Sequence, residues 1–207
     1  MEWRSVLDLL FPPQCAGCNA LGSGFCARCA PGAAPIRIRL PALAVTALGH
    51  YEGALRSAIL ALKDGRRDVG EALGALLVPL LEPGAVLVPV PTTARRQRIR
   101  GFDGVVLMAR LAARTCGASV VASLTQRAGD TQRGRSRTAR LTARGRFACA
   151  ASDVESRRVT LVDDVCTTGA TLRDCAEAVR AAGGLVEQAV VVAVTKSQHS
   201  WRAPTIN

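Results

Sequence analysis

The segment from Val159 to Leu172 reads VTLVDDVCTTGATL and constrains the fold more than any other part of the chain. Its apolar, β-branched start is typical of a buried parallel strand, and the apolar spacing from Leu172 to Ala182 is typical of a helix. The first turn of a helix has backbone N–H groups without partners and carries partial positive charge. We therefore predict a strand-loop-helix unit in which Thr167 to Thr171 holds a phosphate.

Two adjacent carboxylates, Asp163 and Asp164, stand between the strand and this loop. They would repel a phosphate if they faced it, so they are better suited to sugar hydroxyls or to a hard divalent cation. A ribose 5-phosphate meets the requirements of both the acids and the loop. The alternative is an ordinary strand that ends in an acidic turn.

Four cysteines near the start of the chain form two pairs, Cys15 with Cys18 and Cys26 with Cys29. Two such pairs can surround one cation tetrahedrally, and this spacing predicts a closed, structural zinc site. Two disulfides and scattered free thiols are the alternatives. The opening residues do not resemble a secretory segment, and a reducing compartment disfavours disulfides.

Composition points to a folded, soluble and cytoplasmic protein. The chain has 207 residues, of which 49% are hydrophobic, and this is enough for one full domain with a small appendage. The longest apolar stretch, Leu73 to Pro91, contains several prolines, so we expect no membrane span. The net charge of +11 favours polyanionic partners, either diphosphates or nucleic acid.

The positive charge is clustered in two segments. One follows an apolar strand pattern and contains Arg95, Arg96, Arg98 and Arg100, and the other extends from Gln126 to Arg146 with seven arginines. A solvated basic face is the usual explanation for such runs. Their position near predicted strand ends favours anion binding instead.

The motif from Val159 to Thr171 resembles that of the phosphoribosyltransferase family, in which an apolar strand leads into two acids and a Thr-rich, Gly-containing loop. The resemblance implies that Asp163 and Asp164 hold the ribose hydroxyls. It also implies that the residues after them bind the 5-phosphate, namely Val165, Cys166, Thr167, Thr168, Gly169, Ala170 and Thr171.

The order of further segments resembles the ComF/GntX family. These segments are LLFPPQCAGC, YEGALRSAILALKDG, VPVPTTARRQRIRGFD and the motif above. Members are phosphoribosyltransferase-like proteins with an N-terminal zinc module, linked to competence and DNA uptake. The resemblance implies that Val90 to Arg100 binds pyrophosphate, with Arg95, Arg96 and Arg100, and that Lys63 belongs to the site.

Two segments depart from the family pattern. The segment expected to close over the site has Arg135 and Arg144 where leucines are usual and Ala143 where asparagine is usual. In the RGFD segment, Asp103 occupies a position where asparagine is usual. Neither departure touches the phosphate loop.

We expect a type I phosphoribosyltransferase-like α/β fold, with a parallel sheet flanked by helices and a small four-cysteine zinc module. Its divisions are a module at 1–31, the main domain at 42–197 and a tail at 198–207. The predicted elements are listed in chain order: a connector from Pro31 to Pro41, an edge strand Val45–Tyr51, helices Leu55–Leu62 and Val69–Leu81, a strand Val86–Val90, a helix Gly104–Arg114, a strand Val120–Leu124, the motif strand and its helix, and a last strand Val186–Val194.

Three hypotheses for function follow. The first is an enzyme that uses phosphoribosyl diphosphate, with Mg²⁺ and arginines neutralising the pyrophosphate leaving group. The second is a nucleic-acid-binding accessory that holds single-stranded DNA and works with other competence proteins. The third is a nucleotide sensor without catalysis. We favour a diphosphate-sugar site with a role in DNA uptake or metabolism; the sequence does not identify the acceptor.

Overall fold

The computed structural model describes residues 12–32, 34–92, 101–127 and 145–196. Its strands in chain order are β1 Ile36–Leu40, β2 Leu43–His50, β3 Val86–Pro89, β4 Ser119–Val120, β5 Leu124–Gln126, β6 Phe147–Cys149, β7 Arg158–Cys166 and β8 Leu185–Val194. Its α-helices are α1 Gly53–Lys63, α2 Arg67–Leu77, α3 Gly104–Cys116, α4 Ala151–Val154 and α5 Ala170–Ala181, and a 3-10 turn, Val78–Leu80, follows α2.

Six strands form one sheet in the order β1-β2-β8-β7-β3-β4, and β5 pairs with β6 in a separate hairpin. All neighbours in the sheet are parallel except β1 and β2. The central strands are almost continuously buried, as expected for a parallel sheet covered on both faces. The predicted α/β class with a mostly parallel sheet is confirmed.

Helices cover the two faces of the sheet. One apolar cluster joins the sheet to α1, α2 and α3, and it includes Leu62, Leu73 and Met108. The other cluster joins the opposite face to α5 through residues such as Leu172 and Val179. Because β7 passes through the centre of this arrangement, its carboxyl end is held between both helical layers.

The first strands differ from the prediction. The expected connector from Pro31 to Pro41 contains β1, whose apolar residues alternate with the exposed Arg37 and Arg39. Consequently β2 is not an edge strand, because it lies between β1 and β8. The two-residue alternation in IRIRL is a strand signal that could have located β1.

Two further elements were predicted with wrong bounds. The strand expected from Val120 to Leu124 is two separate strands, β4 and β5, which pair in different sheets. The motif strand does not end before the acids, because β7 continues to Cys166 through its pairing with β8. Long-range pairing therefore extends this strand beyond its apolar run.

In the described parts of the chain, no helix is both long enough and apolar enough to span a membrane.

Candidate functional site

The acidic pair lies at the carboxyl end of a central strand. Asp163 and Asp164 belong to the last part of β7, where Asp163 is in register with Val191 of β8. On the other side, the N–H of Val90 donates to the Val162 carbonyl oxygen at 2.8 Å, directly after β3 ends. The acids thus lie beside residues 90–92, at the edge where ligands bind in open parallel sheets.

Asp163 is the more buried acid, with 9% of its surface exposed. Its Oδ1 accepts a hydrogen bond from the Asp164 N–H at 2.8 Å. Burial, and then the charge of Asp164, raise the pKa of Asp163 well above its usual value. The two acids are therefore not equivalent, since Asp163 pays the larger desolvation cost on ionisation.

Asp164 forms an ion pair with a lysine of α1. Lys63 Nζ, at the last residue of α1, lies 2.9 Å from Asp164 Oδ2. Both side chains are partly exposed, so a ligand can reach them. The structure brings Lys63 to the acidic pair, whereas the sequence could only associate the two through family resemblance.

The threonine and glycine segment connects β7 directly to α5. Cys166 is the last residue of the strand and is buried, and Gly169 precedes the helix with φ 73°, a left-handed conformation that favours glycine. The Ala170 N–H donates to Thr168 Oγ1 at 3.4 Å. The predicted order of strand, loop and helix N-terminus is therefore present, with the helix starting at Ala170.

Arg146 lies beside this loop, although the sequence identified it only as the end of a basic segment. Its Nε donates to Asp174 Oδ2 at 2.7 Å, and its Nη2 lies 3.5 Å from Thr171 Oγ1. The guanidinium also lies over the Phe147 ring. Arg146 immediately precedes β6, so the pairing of β5 with β6 places its positive charge next to the start of α5. This proximity depends on tertiary packing and could not be predicted from the sequence.

Asp103 connects the start of α3 to the segment after β3. Its Oδ1 accepts hydrogen bonds from the N–H groups of Val105 and Val106, which caps the helix. Its Oδ2 accepts from the Thr92 N–H at 3.2 Å. The sequence identified Asp103 only as a departure from the family pattern, and the structure shows that its carboxylate uses both oxygens on backbone groups.

The four N-terminal cysteines form a cluster that could hold zinc. Their sulfur atoms all lie within 4.8 Å of one another, and the Cys18 and Cys26 sulfurs are 3.6 Å apart. The N–H groups of Gly17 and Cys26 donate to Cys15 Sγ at 3.4 and 3.3 Å. Such N–H contacts stabilise a thiolate, so this donor set fits a soft, tetrahedral cation.

The thiols of this cluster are electrostatically unequal. Burial by itself raises the pKa of Cys15, but backbone hydrogen bonds from Cys26, Gly17 and Cys18 outweigh it and lower that pKa to about 6. Burial and the neighbouring thiols instead raise the pKa of Cys29 to about 12. All four thiols would be deprotonated together only with a cation between them.

Several predicted residues lie outside the described parts of the chain. They are Arg95, Arg96, Arg98 and Arg100, most of the basic segment from Gln126 to Arg146, and the tail 198–207. The remaining candidates are described: Lys63, the acids and the loop to Thr171 lie at one sheet edge, and the four cysteines form the separate cluster.

Comparisons with known proteins place these features in context. An orotate phosphoribosyltransferase from Nocardioides sp. (strain ATCC BAA-499 / JS614) is 53% identical over 45 residues, which are 22% of this chain and 25% of that protein. The chain thus spans about a quarter of the curated relative that it matches.

Two enzymes are among the solved structures with similarity. Glutamine phosphoribosylpyrophosphate amidotransferase from B. subtilis, complexed with ADP and GMP, is 25% identical, with a TM-score of 0.45 over 60% of this chain and 26% of that chain. Adenine phosphoribosyltransferase from Thermoanaerobacter pseudethanolicus is 14% identical, with a TM-score of 0.39 over 63% of this chain and 82% of that one.

The sequence profile described as "Phosphoribosyl transferase domain" matches residues 103–207, which is just over half of the chain. The match begins at the residue that caps α3 and includes the whole of β7, its acidic pair, the Thr-rich loop and α5. By this match, the chain belongs to the phosphoribosyl transferase domain family.

Proposed function

We propose that this protein binds phosphoribosyl diphosphate at the carboxyl end of β7 and transfers its phosphoribosyl group to an acceptor. The observation that carries the proposal is the position of Asp163 and Asp164 at a central strand end, immediately before a glycine-containing loop and a twelve-residue helix. Carboxylates suit ribose hydroxyls, and the loop with its helix start suits the 5-phosphate. The family to which the chain belongs supports this assignment.

Each part of the loop has a proposed role. Thr167, Thr168 and Thr171 offer hydroxyls to the phosphate, and Gly169 and Ala170 offer backbone N–H groups at the helix start. Val165 and Cys166 belong to β7, and the buried Cys166 side chain leaves only its backbone for ligand contact. Burial raises the pKa of the Cys166 thiol, which argues against a nucleophilic role.

The reaction requires charge stabilisation more than covalent chemistry. As the bond from the ribose C1 to the diphosphate breaks, positive charge develops on the sugar and negative charge on the leaving group. We propose that Arg95, Arg96 and Arg100 bind the diphosphate, while the acids orient the ribose. Lys63 holds Asp164 in place at 2.9 Å.

We propose that Mg²⁺ accompanies the diphosphate and supplies additional positive charge there. Among the described residues, the four cysteines are the only group of three or more close metal-ligating side chains, so no all-protein magnesium cage is found in those parts. Mg²⁺ commonly binds through one or two carboxylates together with substrate phosphates. The acidic pair provides the hard oxygens that such binding needs.

Calorimetry with phosphoribosyl diphosphate and Mg²⁺ tests the proposal. We expect saturable binding at one site per chain, and a large loss of affinity in the Asp163→Asn/Asp164→Asn double variant. Product assays against a panel of nucleobase and amine acceptors then test transfer. Binding without any product would support a nucleotide sensor, and no binding at all would contradict the site.

We also propose that the protein is of the ComF/GntX type and acts in DNA uptake in the reducing cytoplasm, where thiolate ligands persist. The net charge of +11 favours this second role, because nucleic acid attracts such a surface. Replacement of Arg133, Arg135 and Arg137, which lie outside the described residues, should flatten the salt dependence of single-stranded DNA binding by about one unit per lost phosphate contact. Weak, salt-insensitive DNA binding would contradict this role.

A further inference from the structure

The cysteine cluster packs against the start of α2 and shares an apolar cluster with the end of α1. Cys15 and Phe25 belong to the same apolar cluster as Leu62 of α1 and Val69 of α2. A Cβ added at Gly24 would lie only 2.5 Å from the Asp68 carbonyl carbon and 2.7 Å from the Val69 nitrogen. The backbone of Gly24 is therefore in direct contact with that of Asp68 and Val69, which packs the cluster against the start of α2.

The turn between α1 and α2 is tied to the same cluster by Arg66. Its Nη2 donates to the backbone oxygen of Gln14, the residue before Cys15, and its Nε donates to Asp68 Oδ1 at 3.2 Å. Arg66 follows Lys63 by three residues. A displacement of the Cys15 segment would therefore act on the turn that immediately follows the end of α1.

Leu62 packs the end of α1 against α2 and α3. It is 2% exposed and fills the space between two glycines, Gly70 of α2 and Gly104 of α3. A Cβ at either glycine would lie about 3 Å from the Leu62 side chain, at 2.9 and 3.0 Å respectively. The next residue, Lys63, reaches Asp164. A continuous packed path therefore joins the cysteine cluster to the acidic pair.

We propose that metal occupancy of the four-cysteine cluster and phosphosugar binding at the acidic pair are coupled, with Lys63 as the positioning residue that connects them. This inference rests on the proposed function. A metal holds the four sulfurs together, and this keeps the Gln14 and Gly24 contacts that locate Arg66, α2 and Leu62. Without the metal, these contacts loosen and Lys63 no longer holds Asp164 in the binding geometry.

Calorimetry on the full chain measures the coupling directly. The Kd for phosphoribosyl diphosphate with Mg²⁺ is determined for the zinc-loaded protein and for protein depleted of zinc by a chelator that spares Mg²⁺. We expect affinity to fall at least about fivefold on depletion, the lower end of typical coupling between sites. Equal Kd values for the two forms would overturn the proposal.

A reciprocal measurement avoids any need for the depleted form to stay folded. The equilibrium affinity for zinc is measured by competition with a chromogenic chelator, with and without saturating phosphoribosyl diphosphate. Thermodynamic linkage requires the ligand to tighten zinc binding by the same factor by which zinc tightens ligand binding. An unchanged zinc affinity would overturn the coupling.

Variants of Lys63 and Leu62 test whether the coupling passes through these residues. Lys63→Met should bring the coupling factor close to one, and Lys63→Arg should restore part of it, because arginine keeps the charge. Leu62→Ala should also reduce coupling, while Leu60→Ala is the matched control on the same helix, since Leu60 is 36% exposed. Undiminished coupling in Lys63→Met would overturn the role of Lys63.

Failure of the proposed function has a different signature. If the zinc-loaded wild-type chain does not bind phosphoribosyl diphosphate at all, both the proposed function and the coupling are contradicted. If it binds with the same Kd whether or not zinc is present, only the coupling is contradicted.

Discussion

Lys63 Nζ lies 2.9 Å from Asp164 Oδ2, and this contact joins a helix on one face of the sheet to the end of its central strand. The ion pair compensates one of two adjacent carboxylates, while Asp163 stays buried beside it. The site thus combines a side chain of α1 with the acidic pair of β7, and the two acids differ in burial and in their bonding partners.

The double variant Asp163→Asn/Asp164→Asn should lose affinity for phosphoribosyl diphosphate without losing stability. Replacement of both carboxylates removes their mutual repulsion and the desolvation cost of Asp163, although it also removes the Lys63 pair. Calorimetry measures the affinity, and urea unfolding measures the stability. Unchanged ligand binding would leave the acids with a structural role only.

The ligand-free protein should lose stability as the pH rises through the raised pKa of Asp163. In the window between the unfolded value, about 4, and the higher folded value, the folded state binds more protons than the unfolded state. This contribution is therefore present at low pH and is lost as the pH increases. Asp163→Asn keeps the oxygen that accepts from the Asp164 N–H and should remove this part of the pH dependence, as urea midpoints at several pH values would show.

One zinc per chain should be found by elemental analysis of protein purified under reducing conditions. The four sulfurs lie within 4.8 Å of one another, close enough to supply the four ligands of one zinc ion. Cys18→Ser should lower the zinc content and the unfolding temperature together. Protein without zinc that is nevertheless fully stable would contradict a structural metal.

Gly24→Ala should destabilise the protein by about 1–3 kcal/mol, because the added methyl would overlap the backbone of Asp68 and Val69. Gly32→Ala is the matched control, since nothing lies within 4 Å of its added Cβ. Urea unfolding compares the two variants. Equal effects would mean that the cysteine cluster can shift away from α2.

Asp103→Ala should cost about 0.5–2 kcal/mol through loss of the α3 cap. Asp103→Asn should cost less, because one side-chain oxygen remains and can still accept from Val105 and Val106. Its amide group cannot accept from the Thr92 N–H, so only that second contact is lost. Urea unfolding of both variants checks this order, and a larger loss in the asparagine variant would contradict it.

The sequence allowed prediction of those features that depend on local patterns. The apolar run before Asp163 predicted a buried parallel strand, the spacing after Leu172 predicted a helix, and the paired cysteines predicted a zinc site. These follow from periodicity and short spacing, which act within a few residues.

Features that depend on distant partners could not be predicted from the sequence. β7 extends to Cys166 because β8 pairs with it, and Arg146 lies near Thr171 because the β5-β6 hairpin folds back to α5. The contact of Asp103 with Thr92 likewise joins residues whose proximity depends on the parallel sheet. The roles assigned to the site residues and the domain bounds remain predictions.

The two borders of the sheet bear on how this protein behaves at high concentration. At one border, Arg37 and Arg39 of β1 are exposed, and at the other, β4 has only two residues. A charged border resists pairing with a second chain, and a very short one offers few free N–H and C=O groups as a template. A sheet with such borders is protected from edge-to-edge aggregation, even though aggregation-prone valine and leucine make up more than half of β3, β7 and β8 together.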